Sequence, residues 1–305
     1  MSILHRTALL TIKPVPLTHR HLRYINELVA QYQTLHIVVI AGDDDVSSPT
    51  QQTMARWLQV SCQSFGFVSI WTLHQLGLTT STTQEMLHAI GIDEASVLTT
   101  PDYPPTGFDE LALACRYFYA TKIAIVGGES SGKTTLLHKL ANHYGSAIAL
   151  EMGRLYTHSH LGGTEVGLQY SDYPTIAINH AQAIENACHH TCCPVVLIDT
   201  DFVTTQAFCQ TYEQKTHPLL DTFIRQYHPN SDDPHRINHT IYLENNVAWV
   251  ADGMRRLGGN HRSAFAQTLL HLYDQHQIPV HRIDSPDYHD RYLQAVAIID
   301  KIRSF

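Results

Sequence analysis

Residues 127–134, Gly-Gly-Glu-Ser-Ser-Gly-Lys-Thr, follow the apolar run Lys-Ile-Ala-Ile-Val and satisfy the pattern G-x-x-x-x-G-K-[ST]. A loop of this composition between a strand and a helix can hold a nucleoside triphosphate. Its glycines let successive backbone N–H groups turn toward the phosphates, and the helix N-terminus adds its positive end. Gly127, Gly128, Glu129, Ser130, Ser131, Gly132 and Thr135 are therefore expected around the phosphates. Lys133 is expected at the β- and γ-phosphates and Thr134 on Mg²⁺. A chance glycine turn would not need the flanking strand and helix.

The apolar segment Val-Val-Leu-Ile-Asp-Thr-Asp-Phe ends in Asp199 and Asp201. A carboxylate at a strand tip beside the loop can hold Mg²⁺ or accept a proton from an attacking hydroxyl. One of the pair is expected to do chemistry and the other to cap the next helix, and the sequence leaves open which. Glu151 and Arg154 follow another short strand, on the acceptor side of the cleft or as a simple surface ion pair at i,i+3. Asp252, Arg255, Arg256 and Arg262 sit among glycines, as in a lid over a triphosphate or in a solvated basic loop.

Strand and helix patterns alternate along the whole chain, which predicts an α/β protein with parallel sheets and right-handed crossovers. In the first hundred residues the strand candidates are Thr-Ala-Leu-Leu-Thr-Ile, Leu-His-Ile-Val-Val-Ile-Ala-Gly and Phe-Val-Ser-Ile-Trp-Thr-Leu, with helices at 19–33 and 50–64. Three prolines and a glycine in Thr-Thr-Pro-Asp-Tyr-Pro-Pro-Thr-Gly mark a connector. Residues 108–120 read as one short helix leading to the phosphate loop. Two domains are expected, 1–118 with a linker from about 100, and 119–305.

Bulk properties exclude other classes. The chain has 305 residues, 44% hydrophobic and 16% charged, with a formal net charge of -8. That balance fits a globular protein and opposes a general nucleic-acid surface, which needs a basic field. The sequence shows no signal segment and no apolar run of membrane-spanning length, so a cytoplasmic protein without membrane insertion is expected. Six cysteines without regular spacing fit reduced thiols. The cluster Cys188, His189, His190, Cys192 and Cys193 tempts a metal reading, but it is expected to be a helix end entering a buried strand.

Four segments together carry a family resemblance: Lys-Ile-Ala-Ile-Val-Gly-Gly-Glu-Ser-Ser-Gly-Lys-Thr-Thr, Leu-Gly-Gly-Thr-Glu-Val-Gly-Leu-Gln-Tyr-Ser-Asp-Tyr, Ile-Asp-Thr-Asp-Phe-Val-Thr-Thr-Gln-Ala-Phe-Cys and Leu-Glu-Asn-Asn-Val-Ala-Trp-Val-Ala-Asp-Gly-Met-Arg-Arg-Leu-Gly. Over residues 119–305 the chain resembles the kinase domain of NadR-type proteins, a P-loop nucleoside kinase that makes nicotinamide mononucleotide from nicotinamide riboside and ATP. The resemblance implies that Lys133 and Thr134 serve ATP and Mg²⁺, and that Asp199 or Asp201 serves the metal or the riboside hydroxyl. Read as a lid, Arg255, Arg256 and Arg262 are expected to neutralise charge at the transferring phosphate. Glu151, Arg154, Tyr170, Asp172, Trp249 and Asp252 are implied around the nucleoside. Family members often carry aromatic residues beside the glutamate, where Leu150 and Met152 stand here, so specificity for the riboside is left open.

In the same family an adenylyltransferase domain with the signature G-x-F-x-P-x-H-x-G-H commonly precedes the kinase. Here Leu-Thr-Ile-Lys-Pro-Val-Pro-Leu-Thr-His-Arg-His aligns Pro16 and His21, but Thr18 replaces the first histidine and Arg20 the glycine. The resemblance therefore implies a truncated, catalytically silent HIGH-type nucleotidyltransferase-like Rossmann domain. No helix-turn-helix segment precedes it, so a repressor role is not expected. The alternatives are retained adenylyl transfer, another nucleoside acceptor, and an ATP-binding pyridine-nucleotide sensor without transfer. The sequence leaves the oligomeric state open, a homo-oligomer included.

Overall fold

The computed structural model describes residues 5–40, 48–79, 82–248 and 261–305. The chain divides into two compact units, Met1–Cys115 and Arg116–Phe305. The first contains the strands β1 (His5–Ile12), β2 (Tyr32–Val39), β3 (Val68–Thr72) and β4 (Ser96–Thr99), all parallel in the order β3-β2-β1-β4. Between them run α1 (His19–Val29), α2 (Gln51–Cys62) and α3 (Thr83–Ile90).

Local chemistry sets these boundaries. Thr18, Thr50 and Thr82 each accept a backbone N–H three residues on and start a helix. Helix α1 stops at Val29, short of the expected residue 33, because β2 already begins at Tyr32. Helix α3 and strand β4 carry too few apolar residues to announce themselves. Residues 108–120 form a short 3-10 turn, Phe108–Glu110, and a separate helix α4 (Leu113–Tyr119). The break falls where Leu111 bridges to Thr18 and the Ala112 N–H donates to Leu17 O at 2.9 Å.

The second unit holds β5 (Thr121–Gly127), β6 (Ala147–Ala149), β7 (Val195–Asp199), β8 (His239–Leu243) and β9 (Val280–Ile283), parallel in the order β6-β7-β5-β8-β9. Every residue of β5 and β7 is buried, as expected of central strands covered on both faces. One face packs Ile123, Ile125, Leu197 and Ile241 against α5 (Lys133–Tyr144) and α11 (Tyr288–Ile302) through Leu137, Leu140 and Ile299. The remaining helices are α6 (Met152–His160), α7 (Tyr173–His189), α8 (Phe202–Glu213), α9 (Pro218–Gln226) and α10 (Arg262–Gln275).

The cysteine and histidine cluster behaves as structure: α7 ends at His189, Cys188 is buried, and β7 starts at Val195. No three metal-binding side chains converge among the described residues. No helix among the described residues is long and apolar enough to cross a membrane.

Lys122, the second residue of β5, is 1% exposed, with its ammonium 3.4 Å from the Phe118 carbonyl that it donates to. Burial pulls its pKa down from 10.5 to about 8. The unfolded chain therefore binds the extra proton between those two values, so stability rises with pH across that window. Lys122→Met is expected to raise the urea midpoint at pH 7 and to flatten the rise between pH 8 and 10 seen in the parent; an unchanged midpoint at pH 7 would contradict the penalty assigned to this lysine.

Candidate functional site at the carboxyl ends of the second sheet

Strand β5 delivers the chain into the phosphate loop, and the loop shape follows from two close approaches. A Cβ on Gly127 would lie 2.5 Å from Leu243 O, and its φ is 146°. Gly132, at φ 86°, faces the Tyr288 ring, which a Cβ would meet at 2.7 Å. Only glycine fits both positions. Ser130 also lies in the left-handed region at φ 52°, a strained conformation of the kind held at ligand-binding loops.

The loop is braced from within and from outside. Lys133 is 8% exposed, and its Nζ donates to Gly128 O at 3.0 Å, where Ser131 Oγ also donates at 2.8 Å. Glu129 is buried, and Thr135 is exposed. Arg291 of α11 is 1% exposed and donates to Ser131 O at 2.6 Å, to Ser285 O at 2.6 Å, to Glu244 O at 2.7 Å and to the Asn246 side chain. One guanidinium thus ties the phosphate loop to the tips of β8 and β9, a task for a rigid fork of donors. Arg262, at the start of α10, donates to Val247 O at 2.7 Å and to Ser130 O at 3.4 Å. Its Nε is buried without a partner beside the loop. Sequence reasoning placed Arg262 here but missed Arg291, since an arginine inside a C-terminal amphipathic helix looks like surface.

Thr134 Oγ1 donates to Asp199 Oδ2 at 2.8 Å, so the last loop residue and the tip of β7 meet. Asp199 is 1% exposed, and its Oδ1 is buried without a partner. A hydroxyl and a carboxylate with one unsatisfied oxygen form a hard oxygen donor set, which fits Mg²⁺. Burial and then the neighbouring charge of Glu151 push the Asp199 carboxyl upward, against the opposing pull of Lys133, Thr134 and Arg154. Asp201 behaves differently. Its Oδ1 accepts Thr204 N and Thr204 Oγ1, both at 2.9 Å, and its Oδ2 accepts the Tyr273 hydroxyl at 2.7 Å. With both oxygens engaged at 4% exposure, Asp201 caps α8. Of the two roles that the sequence left open between the aspartates, the helix cap falls to Asp201.

Beside Asp199 a cavity opens between α6, α7 and α8. Glu151, Met152, Glu165, Tyr173, His180, Thr200, Phe208 and Tyr212 line it. Glu151 precedes α6 and is 8% exposed, with Arg154 Nε 3.8 Å from its Oε2. Glu165 is 4% exposed and accepts the Tyr212 hydroxyl at 2.6 Å. Two buried carboxylates therefore share a cavity with three aromatic side chains.

Tyr170 and Asp172 do not reach the cavity wall. The Tyr170 hydroxyl donates to Thr216 O at 3.0 Å, its ring packs on His217 at 4.6 Å, and Lys215 Nζ lies 3.8 Å from the ring centre. Asp172 accepts from Tyr156 Oη and from Gln169 N, both at 2.9 Å, and so stiffens the entry to α7. Trp249, Asp252, Arg255 and Arg256 lie outside the described residues. Glu165, His180, Phe208 and Tyr212 escaped the sequence reading. A signal was present: Thr204, Phe208 and Tyr212 recur every fourth residue, which puts them on one face of α8.

A family model described as an AAA domain matches residues 122–291. The chain belongs to this AAA-domain family. Two curated relatives, the trifunctional NAD biosynthesis/regulator proteins NadR of Escherichia coli and Salmonella typhimurium, are each 45% identical, over 183 and 186 residues. The aligned segments are 60% and 61% of this chain and 42% and 43% of the relatives, so the match spans less than half of their length. A crystal structure of NadR with NAD and AMP-PNP aligns at a TM-score of 0.78 and 15% identity, over 97% of this chain and 96% of the other. A NadR structure with NR aligns at 0.76 and 16%, over 99% and 97%. At these identities the structures speak for the fold alone. The NadR-type resemblance and the kinase-like P-loop domain expected from the sequence are borne out.

The two aspartates should separate in experiment. Asp201→Ala strands the Thr204 and Tyr273 donors and is expected to cost about 2 kcal/mol or more of stability. Asp199→Asn relieves a carboxylate held against Glu151, so its thermal midpoint is expected to match or exceed that of the parent while affinity for the Mg²⁺–nucleotide falls. A drop in the midpoint of Asp199→Asn larger than that of Asp201→Ala would reverse the assignment.

Proposed function

We propose that the second unit transfers the γ-phosphoryl group of ATP to the 5′-hydroxyl of nicotinamide riboside, giving nicotinamide mononucleotide. The observation that carries this reading is the acidic, aromatic cavity next to the phosphate loop. Glu151 and Glu165 are buried there with Tyr173, Phe208 and Tyr212, a lining suited to a flat cationic ring. Nicotinamide riboside carries a pyridinium, whereas the common nucleosides are neutral. The curated relatives are named for NAD biosynthesis, and one solved relative is described with NR and another with AMP-PNP, which agrees with this choice of substrates.

In this reading the residues divide the work. Phosphoryl transfer is mostly positioning and charge neutralisation, because little covalent chemistry falls to the protein. Backbone N–H groups of residues 127–135, Lys133 and Arg262 hold the triphosphate. Thr134 and Asp199 would hold Mg²⁺, which when bound neutralises charge on the β- and γ-oxygens. The riboside oxygen bonds to phosphorus as the bond to the ADP oxygen breaks, and the hydroxyl proton passes to Glu151, the buried carboxylate that lines the acceptor cavity. Arg154 holds Glu151 in place from 3.8 Å. Trp249 and Asp252 are assigned to the nucleoside on the family resemblance, Arg255 and Arg256 to phosphate charge as lid arginines, and Tyr170 and Asp172 to shaping the cavity entrance.

The first unit, within residues 1–118, is proposed to be the silent nucleotidyltransferase-like partner of a kinase at 119–305, in a cytoplasmic protein. Its signature histidine supports that view. His21 is 3% exposed, and its Nδ1 lies 3.1 Å from Thr18 N and 2.8 Å from Thr18 Oγ1 in a capping box. Burial lowers its pKa to about 4, so it stays neutral and committed to the helix start.

Mass spectrometry of products from nicotinamide riboside, ATP and Mg²⁺ tests both parts. Mononucleotide and ADP are expected, with no NAD, and Lys133→Ala is expected to lower turnover by at least about a thousandfold without unfolding the chain. Appearance of NAD would overturn the silent first unit. Faster turnover of uridine or inosine than of nicotinamide riboside would overturn the cationic acceptor.

A further inference from the structure

Four hydroxyl donors of the cavity walls are committed to the protein itself. Thr157 Oγ1 donates to Arg154 O at 2.8 Å, Thr204 Oγ1 to Asp201 at 2.9 Å, Thr205 Oγ1 to Asp201 O at 3.2 Å, and Tyr212 Oη to Glu165 at 2.6 Å. Ionised carboxylates such as Glu151 only accept. A nucleoside entering this space brings oxygens of its own, in the ribose and in any ring substituent, and these need donors once desolvated.

His180 stands out against that background. It lies on α7, 1% exposed, with its ring 5.3 Å from Phe202, and it lines the cavity. Its Nε2 is buried and has no hydrogen-bond partner. Burial lowers its pKa to about 4, so the ring is neutral and carries a single N–H whose position the tautomer sets. A buried polar atom left without a partner costs stability, and such atoms are few in native proteins. A ligand that satisfies the atom offsets that cost.

We propose that His180, in the tautomer protonated at Nε2, is a substrate-binding group that donates a hydrogen bond to an oxygen of the acceptor nucleoside and so helps set acceptor specificity. The inference rests on the acceptor cavity assigned above. A histidine in an apolar helix stripe, following Ile176 and preceding Ile184 by one turn each, would otherwise be simple core packing. Packing and recognition predict opposite results on substitution.

His180→Leu removes the unpartnered nitrogen and keeps an apolar side chain. Recognition predicts that its thermal midpoint is unchanged or higher, that KM for nicotinamide riboside rises by about tenfold, the worth of one hydrogen bond in a desolvated site, and that KM for ATP is unchanged. His180→Gln retains a donor and is expected to recover part of the loss, which keeps the test open should the leucine variant fold poorly. Riboside KM unchanged in both folded variants, or a lowered midpoint as the sole effect, would overturn the inference. If the unsubstituted chain phosphorylates no cationic nucleoside at all, the acceptor reading itself has failed; if it does so and the variants match it, only the role of His180 has failed.

Discussion

The second unit is organised around a buried negative charge that its own scaffold does not fully neutralise. Asp199 ends β7 at 1% exposure, with Glu151 near enough to push its carboxyl upward. Lys133, Thr134 and Arg154 pull the other way, yet burial and the like charge dominate. Holding such groups together costs folding stability, and the arrangement makes sense when cations complete it. Mg²⁺ on one side of Asp199 and a pyridinium beside Glu151 are the two that the proposed reaction brings.

The scaffold meets this demand by making the phosphate loop rigid. Strand β5 is buried along its whole length, so the loop starts from a fixed point. Arg291 then joins the loop to the tips of β8 and β9 through three backbone carbonyls and the Asn246 side chain. Arg262 adds a second brace at Ser130. Both arginines spend their donors on carbonyl oxygens instead of carboxylates. Their charge therefore remains available to the anionic phosphates, and the same side chains that shape the loop also contribute to its field.

Much of this was legible in the sequence because local rules govern it. The phosphate loop, the largely apolar β5 and β7, and the acidic tip of β7 each announce themselves over a few adjacent residues. What was illegible depends on tertiary contact. Asp199 and Asp201 are two residues apart and chemically identical, and only the positions of Thr134 and Tyr273 tell the metal-binding candidate from the cap. Tyr170 and Asp172 sit in a segment that carries the family resemblance, but their polar atoms are engaged with Thr216, Tyr156 and Gln169 outside the cavity. Glu165 and His180 come from separate elements, and no sequence spacing brings them to one space. In the first unit β4 was missed because Ser96–Thr99 is a short strand with alternating partial exposure, and its pairing with β1 defines it.

The account stands or falls on where the acceptor binds. A crystal structure of the full chain with nicotinamide riboside and a non-hydrolysable ATP analogue is the most direct measurement. The account predicts the pyridinium in the cavity between Glu151, Glu165, Phe208 and Tyr212, with the 5′-oxygen turned toward Glu151 and the γ-phosphate. A riboside bound outside that cavity would contradict it.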